Sequence, residues 1–231
     1  PRGNHHRHRR ALEWGELLVG ATLAIDTSAG TSVALLRNGV LVAETNYESQ
    51  LGHAESIGTA IAEVLAKAPD AQVISVVVGR GPAPFTGLRI GIAAAIMFAE
   101  GSKAQLSGVV SLDAIALLEL ESNTHISTST PLLVTSDARR KEVYYALYSG
   151  LNAHGVPICV DGPSVIKPAA LEEMLIDKNI TPIRATKSIR AAAIAKLAEA
   201  QSRAGTLSDD VSALRRISQT GIAHRCALQI A

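Results

Sequence analysis

The chain has 231 residues, 47% of them hydrophobic, 19% charged and only 3% aromatic; this suits one large domain or two closely packed subdomains and excludes a disordered chain. The formal net charge is +1, and without the first twenty residues 18 basic and 19 acidic side chains remain, so the body is neutral and is not a strongly basic nucleic-acid-binding domain. The two cysteines, Cys159 and Cys226, form no CxxC pair and no Cys/His cluster outside the tail, which gives no support to a zinc site and suits a reducing cytoplasm.

The first ten residues hold Arg2, Arg7, Arg9 and Arg10 with His5, His6 and His8. Such a tract can bind metal or nucleic acid; the expectation here is a disordered extension over residues 1–20, in which residues 17–20 are too few for a signal-peptide core. Residues 22–26 form a short apolar run, 27–31 a turn and 32–36 a second β-rich run. Asn38-Gly39 is a hairpin signal, and 40–46 continue as a third strand. Residues 53–68 read as a helix with Ile57, Ile61, Val64, Leu65 and Ala68 on one stripe. Residues 73–78 are a continuous apolar run of the kind buried on both faces of a sheet. A Gly/Pro loop at 79–84 follows, then a second helix from Phe85 or Thr86 to about Glu100. That helix has no polar face, so it is expected to be buried all round, sandwiched within the domain or covered by another chain. Gly87 and Gly91 let a neighbour approach it closely. Its apolar run at 91–99 is too short to span a bilayer.

A strand at 106–110, a helix at 112–121 and a Ser/Thr-rich linker at 122–130 come next. The pattern then restarts with a strand at 132–135, a turn at 137–140, a strand at 142–149 and helix candidates at 168–178 and 190–204. Meander, helix, strand, helix and a second β-led unit predict an α/β fold with mixed sheets and flanking helices. Residues 21–121 form the first lobe and 131–231 a more divergent second.

Residues 23–39, LAIDTSAGTSVALLRNG, resemble the first phosphate loop of the actin/hexokinase/Hsp70-like (ASKHA) superfamily, in which an Asp ends the first strand and a hairpin of small residues follows. Asp26, Thr27, Ser28, Gly30 and Thr31 make up this nucleotide-loop-like set. Hydroxyl and glycine residues let backbone N–H groups reach phosphate, and an acidic side chain can hold magnesium through water. D-T-S-x-G also describes an ordinary polar turn, and both readings stay open. Residues 79–91, GRGPAPFTGLRIG, are far more specific. Gly79, Arg80, Gly81, Pro82, Phe85, Thr86, Gly87, Leu88 and Arg89 closely resemble the signature of the TsaB (YeaZ) family, paralogues of the threonylcarbamoyl transferase TsaD. The same loop can also start a helix, with Thr86 as its cap. HAESIGTAIAEVLAKA (53–68), residues 108–116 and SDARRKEVYYALY (136–148) extend the likeness over about half the chain, and beyond Val160 it becomes poor.

The resemblance implies an actin-like, two-lobed scaffold whose two N-terminal helices pack against the matching helices of TsaD. Ile57, Ile61, Val64, Leu65, Leu88, Ile92 and Ile96 are the expected interface, shared with a second copy when TsaD is absent; some of them must instead face their own sheet, and the sequence alone does not divide them. The resemblance implies a non-catalytic, activating role in forming N6-threonylcarbamoyladenosine on ANN-decoding tRNAs. A TsaE-like ATPase is a further implied partner, and tRNA is met only through the complex. No cofactor is expected on the chain alone, ATP only in the complex with TsaD and TsaE, and the location is cytoplasmic, away from membranes. The competing reading is an autonomous ATP-binding phosphotransferase or ATPase of the same superfamily.

TsaD relatives carry two metal-binding histidines four apart after the second helix. The matching positions here are Ser111 and Ile115, so no comparable metal site is expected. His53 beside Glu55 is the remaining acid/base candidate, or a helix-start residue with local hydrogen bonds. His125, His154 and His224 fall in polar or unmatched segments. No G-x-S-x-G, H-E-x-x-H or Walker A pattern occurs, and no nucleophile–base spacing supports the glycoprotease label this family has carried. Arg80, Arg89, Arg139 and Arg140 lie beside turns and can meet phosphate or an acidic partner. Arg89, on an otherwise apolar helix, must find a partner or reach the edge.

Overall fold

The computed structural model describes residues 20–48, 53–123 and 125–220; the expected N-terminal extension, His224 and the side chain of His53 lie outside the described residues. Two sheets repeat one plan. β1 (Ala21–Asp26), β2 (Thr31–Arg37) and β3 (Val40–Tyr47) form an antiparallel meander, helix α1 (His53–Leu65) follows, and β4 (Val73–Gly79) pairs parallel to β1. Helix α2 (Phe85–Ser102) leads to β5 (Gln105–Val109), parallel to β4, and then to α3 (Ser111–Ser122). The strand order is β3-β2-β1-β4-β5.

In the second sheet β6 (Leu132–Arg139), β7 (Glu142–Leu151) and β8 (Pro157–Ile166) make another antiparallel meander. Helix α4 (Pro168–Asp177) follows, and the two-residue β9 (Ile183–Arg184) pairs parallel to β6, in the order β8-β7-β6-β9. Helices α5 (Ala191–Arg203) and α6 (Val211–Thr220) come last. The sequence of meander, helix and parallel strand thus occurs twice, and the chain is an α/β fold of two mixed sheets with flanking helices, as expected.

The alternation of side chains along each strand sorts the core into layers. Leu23, Ile25, Val33, Leu35, Val76 and Val78 point towards α1 and α2, whereas Ala24, Ala34, Val77 and Val109 point into a core shared with α3, α5 and the second sheet. That sheet contributes Leu132, Val134, Tyr144, Ala146 and Tyr148 to the shared core, and turns Leu133, Tyr145 and Leu147 onto Leu171 and Leu175 of α4. The central helices are squeezed between two sheets, and small side chains make that possible. Ala114, Ala116, Ala191, Ala193, Ala195 and Ala198 are all buried there, which is where an alanine-rich, aromatic-poor composition goes. At the β2–β3 turn Asn38 and Gly39 both take positive φ, 53° and 75°, as a type I′ hairpin requires.

After β9, α5 packs on β1, β2 and α3, and α6 packs on α2. Within the chain itself the second helix is covered on one face, which leaves open the expectation that another chain covers the rest. Gly87, Leu88, Gly91, Ile92, Ala95 and Ala99 face the core, while Ala93 and Met97 face outwards, Met97 at 76% exposure, because an outer-layer helix has only one face covered. Among the described residues no helix is long and apolar enough to cross a membrane.

Candidate functional site

β1 ends in Asp26, which is 1% exposed, next to the end of β4 at Gly79 and the start of α3 at Ser111. Both oxygens of the Asp26 carboxylate are taken by the chain itself. Oδ1 accepts the Ser28 N–H at 2.7 Å and the Ser28 hydroxyl, and Oδ2 accepts the Ser111 hydroxyl at 2.7 Å. Ser111 Oγ in turn accepts the Gly81 N–H at 3.2 Å, and the Ser111 N–H donates to the Gly81 carbonyl at 2.8 Å. Thr27 donates its hydroxyl to the Gly87 carbonyl at 2.8 Å.

The glycines of the signature follow from these contacts. A side chain on Gly79 would put Cβ 1.8 Å from Asp26 Oδ2, and one on Gly91 would put it 2.2 Å from Thr27 Oγ1. The two motifs therefore form one interlock, in which the β1–β2 turn lies against the 79–91 segment with its polar side chains turned inwards. Thr31, also buried, shares a hydrogen bond with Ser56 of α1 at 3.0 Å. Thr86 is not the expected cap: α2 starts at Phe85 after Pro84 without a side-chain cap, and Thr86 is exposed.

Beside the interlock lies a cleft of about 180 Å³, bounded by Ser28, Ala29, Pro84 and Ile115 on one side and Thr135, Ser136 and Asp137 on the other. Ligand sites commonly run to about 300–1,000 Å³, so this one is small for a nucleotide. Lys187, at its rim, donates its ammonium to the Leu118 carbonyl and the Ser122 hydroxyl. A more open groove of about 360 Å³ runs over Gly30, Thr31, Asn46, Tyr47 and Arg190. The first N–H groups of α5, a natural anion site, are already filled: Ala191 donates to Ser32 Oγ at 2.8 Å and Ala192 to Glu44 Oε1 at 2.9 Å. Among the described residues no group of three or more His, Cys, Asp and Glu side chains could hold a metal ion.

Several polar contacts that the sequence reading missed join the lobes. Tyr148 of β7 donates its hydroxyl to Asp113 Oδ1 at 2.7 Å. Burial pushes the Asp113 carboxyl up to about 6, against the Tyr148 hydrogen bond and the charge of Arg80. Burial lowers Arg80 from its ordinary value while Asp113 raises it. Glu119 Oε1 accepts the N–H groups of Thr186 at 2.5 Å and Lys187 at 2.7 Å, which anchors the segment before α5. Tyr144 reaches the Ala83 carbonyl at 3.3 Å and so ties β7 to the signature loop. The available signal was a charged residue, Asp113 or Glu119, on an otherwise apolar helix. Arg89 does reach the edge, its guanidinium 4.3 Å from the ring centre of Phe85, which is 39% exposed.

The residues expected to bind a partner are divided by the fold. Ile57, Val64, Leu88 and Ile92 belong to the chain's own core, at 8, 0, 1 and 0% exposure, because their stripe faces the first sheet. Those four are the members of the set that face their own sheet. Ile61, Leu65 and Ile96 are partly buried against the same core. What α1 and α2 turn outwards lies beside that stripe: Ala54, Gly58 and Ala62 at four-residue spacing on α1, and Ala93, Met97 and Gly101 on α2. A side chain placed at Gly58 or Gly101 would meet nothing within 4 Å, which leaves room for an approaching backbone.

The chain matches the family model of TsaD, tRNA N6-adenosine threonylcarbamoyltransferase, over residues 46–222. It is 31% identical over 156 residues to the tRNA threonylcarbamoyladenosine biosynthesis protein TsaB of Escherichia coli, covering 66% of this chain and 65% of that protein. It is 34% identical over 133 residues to TsaB of Bacillus subtilis, covering 56% of each. An uncharacterized protein of Mycobacterium leprae is 35% identical over 161 residues, 67% of this chain and 41% of that protein. The chain thus spans between 41% and 65% of the length of these relatives. Among solved structures YeaZ from Pseudomonas aeruginosa shares the fold, with a TM-score of 0.65, 24% identity, and coverage of 81% of this chain and 94% of that one.

Proposed function

The chain belongs to the TsaB (YeaZ) family, within the reach of the TsaD family model, and from that membership we propose that it acts in the formation of N6-threonylcarbamoyladenosine on tRNA as a non-catalytic, activating subunit for a TsaD-like transferase. The observation that carries this reading is the interlock around Asp26. The acidic residue that an actin-like enzyme would use for magnesium and phosphate is shut in, and Ser28 and Ser111 occupy both its oxygens. Where the transferase has its histidines, this chain has a serine spent on that interlock and a buried isoleucine, Ile115. ATP, on this reading, enters with TsaD and a TsaE-like ATPase, tRNA is met in the complex, and the protein works in the cytoplasm. The autonomous phosphotransferase has less support, since Ser28 and Ser111 hold both oxygens of the Asp26 carboxylate.

The outer face of α1 and α2 is the proposed contact with the transferase, or with a second copy in its absence. Small residues at Ala54, Gly58, Ala62 and Ala93 let helices pack closely, and Met97 supplies an exposed apolar side chain that adapts its shape to a partner. Ala62→Glu and Met97→Glu should leave circular dichroism and melting unchanged and reduce co-purification with a TsaD-like protein at least tenfold. Ile92→Glu places a charge in the core and should unfold the chain, so it cannot serve as the test. Undiminished association of the Ala62→Glu/Met97→Glu double variant refutes the interface. Modification of tRNA by the purified chain alone, supplied with threonylcarbamoyl adenylate and metal, refutes the non-catalytic role.

A further inference from the structure

The turn between β6 and β7 is built against the usual preference of its backbone. Arg139, Arg140 and Lys141 follow one another at φ 65°, 51° and 63°. That left-handed region is costly for side chains with a Cβ and is ordinarily given to glycine or asparagine. The same chain follows the ordinary rule at Asn38-Gly39, where β2 turns into β3. Three consecutive strained residues mark a place where the side chains matter more than the ease of the turn.

All three side chains are cations. Successive Cα atoms lie about 3.8 Å apart, so three positive charges leave the backbone within two such steps, and each is exposed. Arg139 pairs with Asp137 at 3.7 Å with both side chains about half exposed, a contact that water and salt screen. Arg140 and Lys141 make no ion pair among the described residues. This cluster stands on a body with no net positive charge, so its attraction is local. Its base is held firmly, since Tyr144, five residues beyond Arg139, is bonded to the signature loop through the Ala83 carbonyl.

We propose that the β6–β7 turn is an RNA contact, in which Arg140 and Lys141, with Arg139 released from Asp137, meet consecutive phosphates. A phosphate chain is the anion whose charge density answers three cations crowded at one turn. A guanidinium pairs with phosphate in a forked geometry, and an ammonium pairs with it as a point charge. The choice of RNA rests on the tRNA-modification reading above; the geometry of the turn does not.

The test uses the full chain and a fluorescently labelled RNA stem-loop, with anisotropy followed across a salt series. The wild-type chain should bind weakly, with a dissociation constant of about 10⁻⁴–10⁻⁶ M, and each lost phosphate contact should lower the slope of log K against log salt by about 0.7–0.9. Arg140→Ala/Lys141→Ala should reduce that slope by about 1.4–1.8 and low-salt affinity by roughly tenfold. Arg140→Lys/Lys141→Arg, which keeps the charge and the strained backbone, should retain most of both. An unchanged slope in the alanine variant, or no measurable binding by the wild type at low salt, overturns the inference. If the alanine variant loses the TsaD-like partner but keeps RNA, the turn is a protein contact and the inference fails while the proposed function stands. If the helix-face variants leave partner binding intact but the RNA slopes behave as expected, the proposed interface fails and the RNA contact stands.

Discussion

Removing one oxygen, with Ser111→Ala, tests the interlock directly. Ser111 Oγ donates to Asp26 Oδ2 at 2.7 Å and accepts the Gly81 N–H at 3.2 Å, and Asp26 and Ser111 are both about 1% exposed. The variant leaves a buried carboxylate oxygen and a buried amide without these partners. A hydrogen bond to a charged group is worth about 1.5–3 kcal/mol and a neutral one about 1 kcal/mol, with little cavity penalty for a single atom. The expected loss is about 3 kcal/mol. For a chain of this size that lowers Tm by roughly 6–12 °C, at about 2–4 °C per kcal/mol. Calorimetry gives Tm, and urea unfolding gives the free energy. Asp26→Asn is the second arm of a double-mutant cycle, because contacting residues couple by about 0.5–3 kcal/mol. A loss under about 1 kcal/mol that adds independently to Asp26→Asn refutes the reasoning. It would mean that the carboxylate is not committed to Ser111, and magnesium-dependent stabilisation of the wild type would point the same way.

Gly91→Ala should destabilise the chain by about 1–3 kcal/mol, as overpacked cores do, since its Cβ would stand 2.2 Å from Thr27 Oγ1; Thr27→Ala in the same chain removes that atom and should recover part of the loss, read by urea unfolding. Asp113 predicts a pH effect. Its folded value of about 6 lies above the ordinary 3.8, because burial outweighs Tyr148 and Arg80, so the folded state holds this proton more tightly than the unfolded chain. The resulting stability is complete below about pH 4 and is lost as pH rises through about 6. Compared with Asp113→Asn, the wild type should lose up to about 3 kcal/mol between roughly pH 4 and pH 7, and a difference that stays flat across that range would show that Asp113 does not titrate in the fold.

The amino-acid sequence determined what depends on neighbours in the chain. The apolar run at 22–26, the β-rich run at 32–36, its continuation at 40–46, the Asn38-Gly39 turn and the continuous run at 73–78 specified the first meander and its parallel strand, because run length and turn chemistry are local. The segment 79–91 was recognisable because its glycines, proline and arginines stand at fixed spacing. β8 escaped the reading: Pro157, Gly162 and Pro163 interrupt it, and its pairing with β7 shifts register. The two residues of β9 carry no period at all. α6 escaped as well, although Leu214 and Ile217 sit three apart and Asp210 accepts the Ala213 N–H at its start.

Tertiary structure decided the rest. Ile57 and Ile92 read as an interface stripe in the sequence, and only the placement of α1 and α2 on the first sheet shows that this stripe is core, while Ala62 and Met97 face outwards. Asp26 read equally well as a phosphate-loop acid or a turn residue; its bond to Ser111, 85 positions away, is visible only in the fold. An apolar stripe records that a face will be covered but not by what, and a carboxylate records a charge but not its partner. Both are settled by groups that meet only when distant segments of the chain pack together.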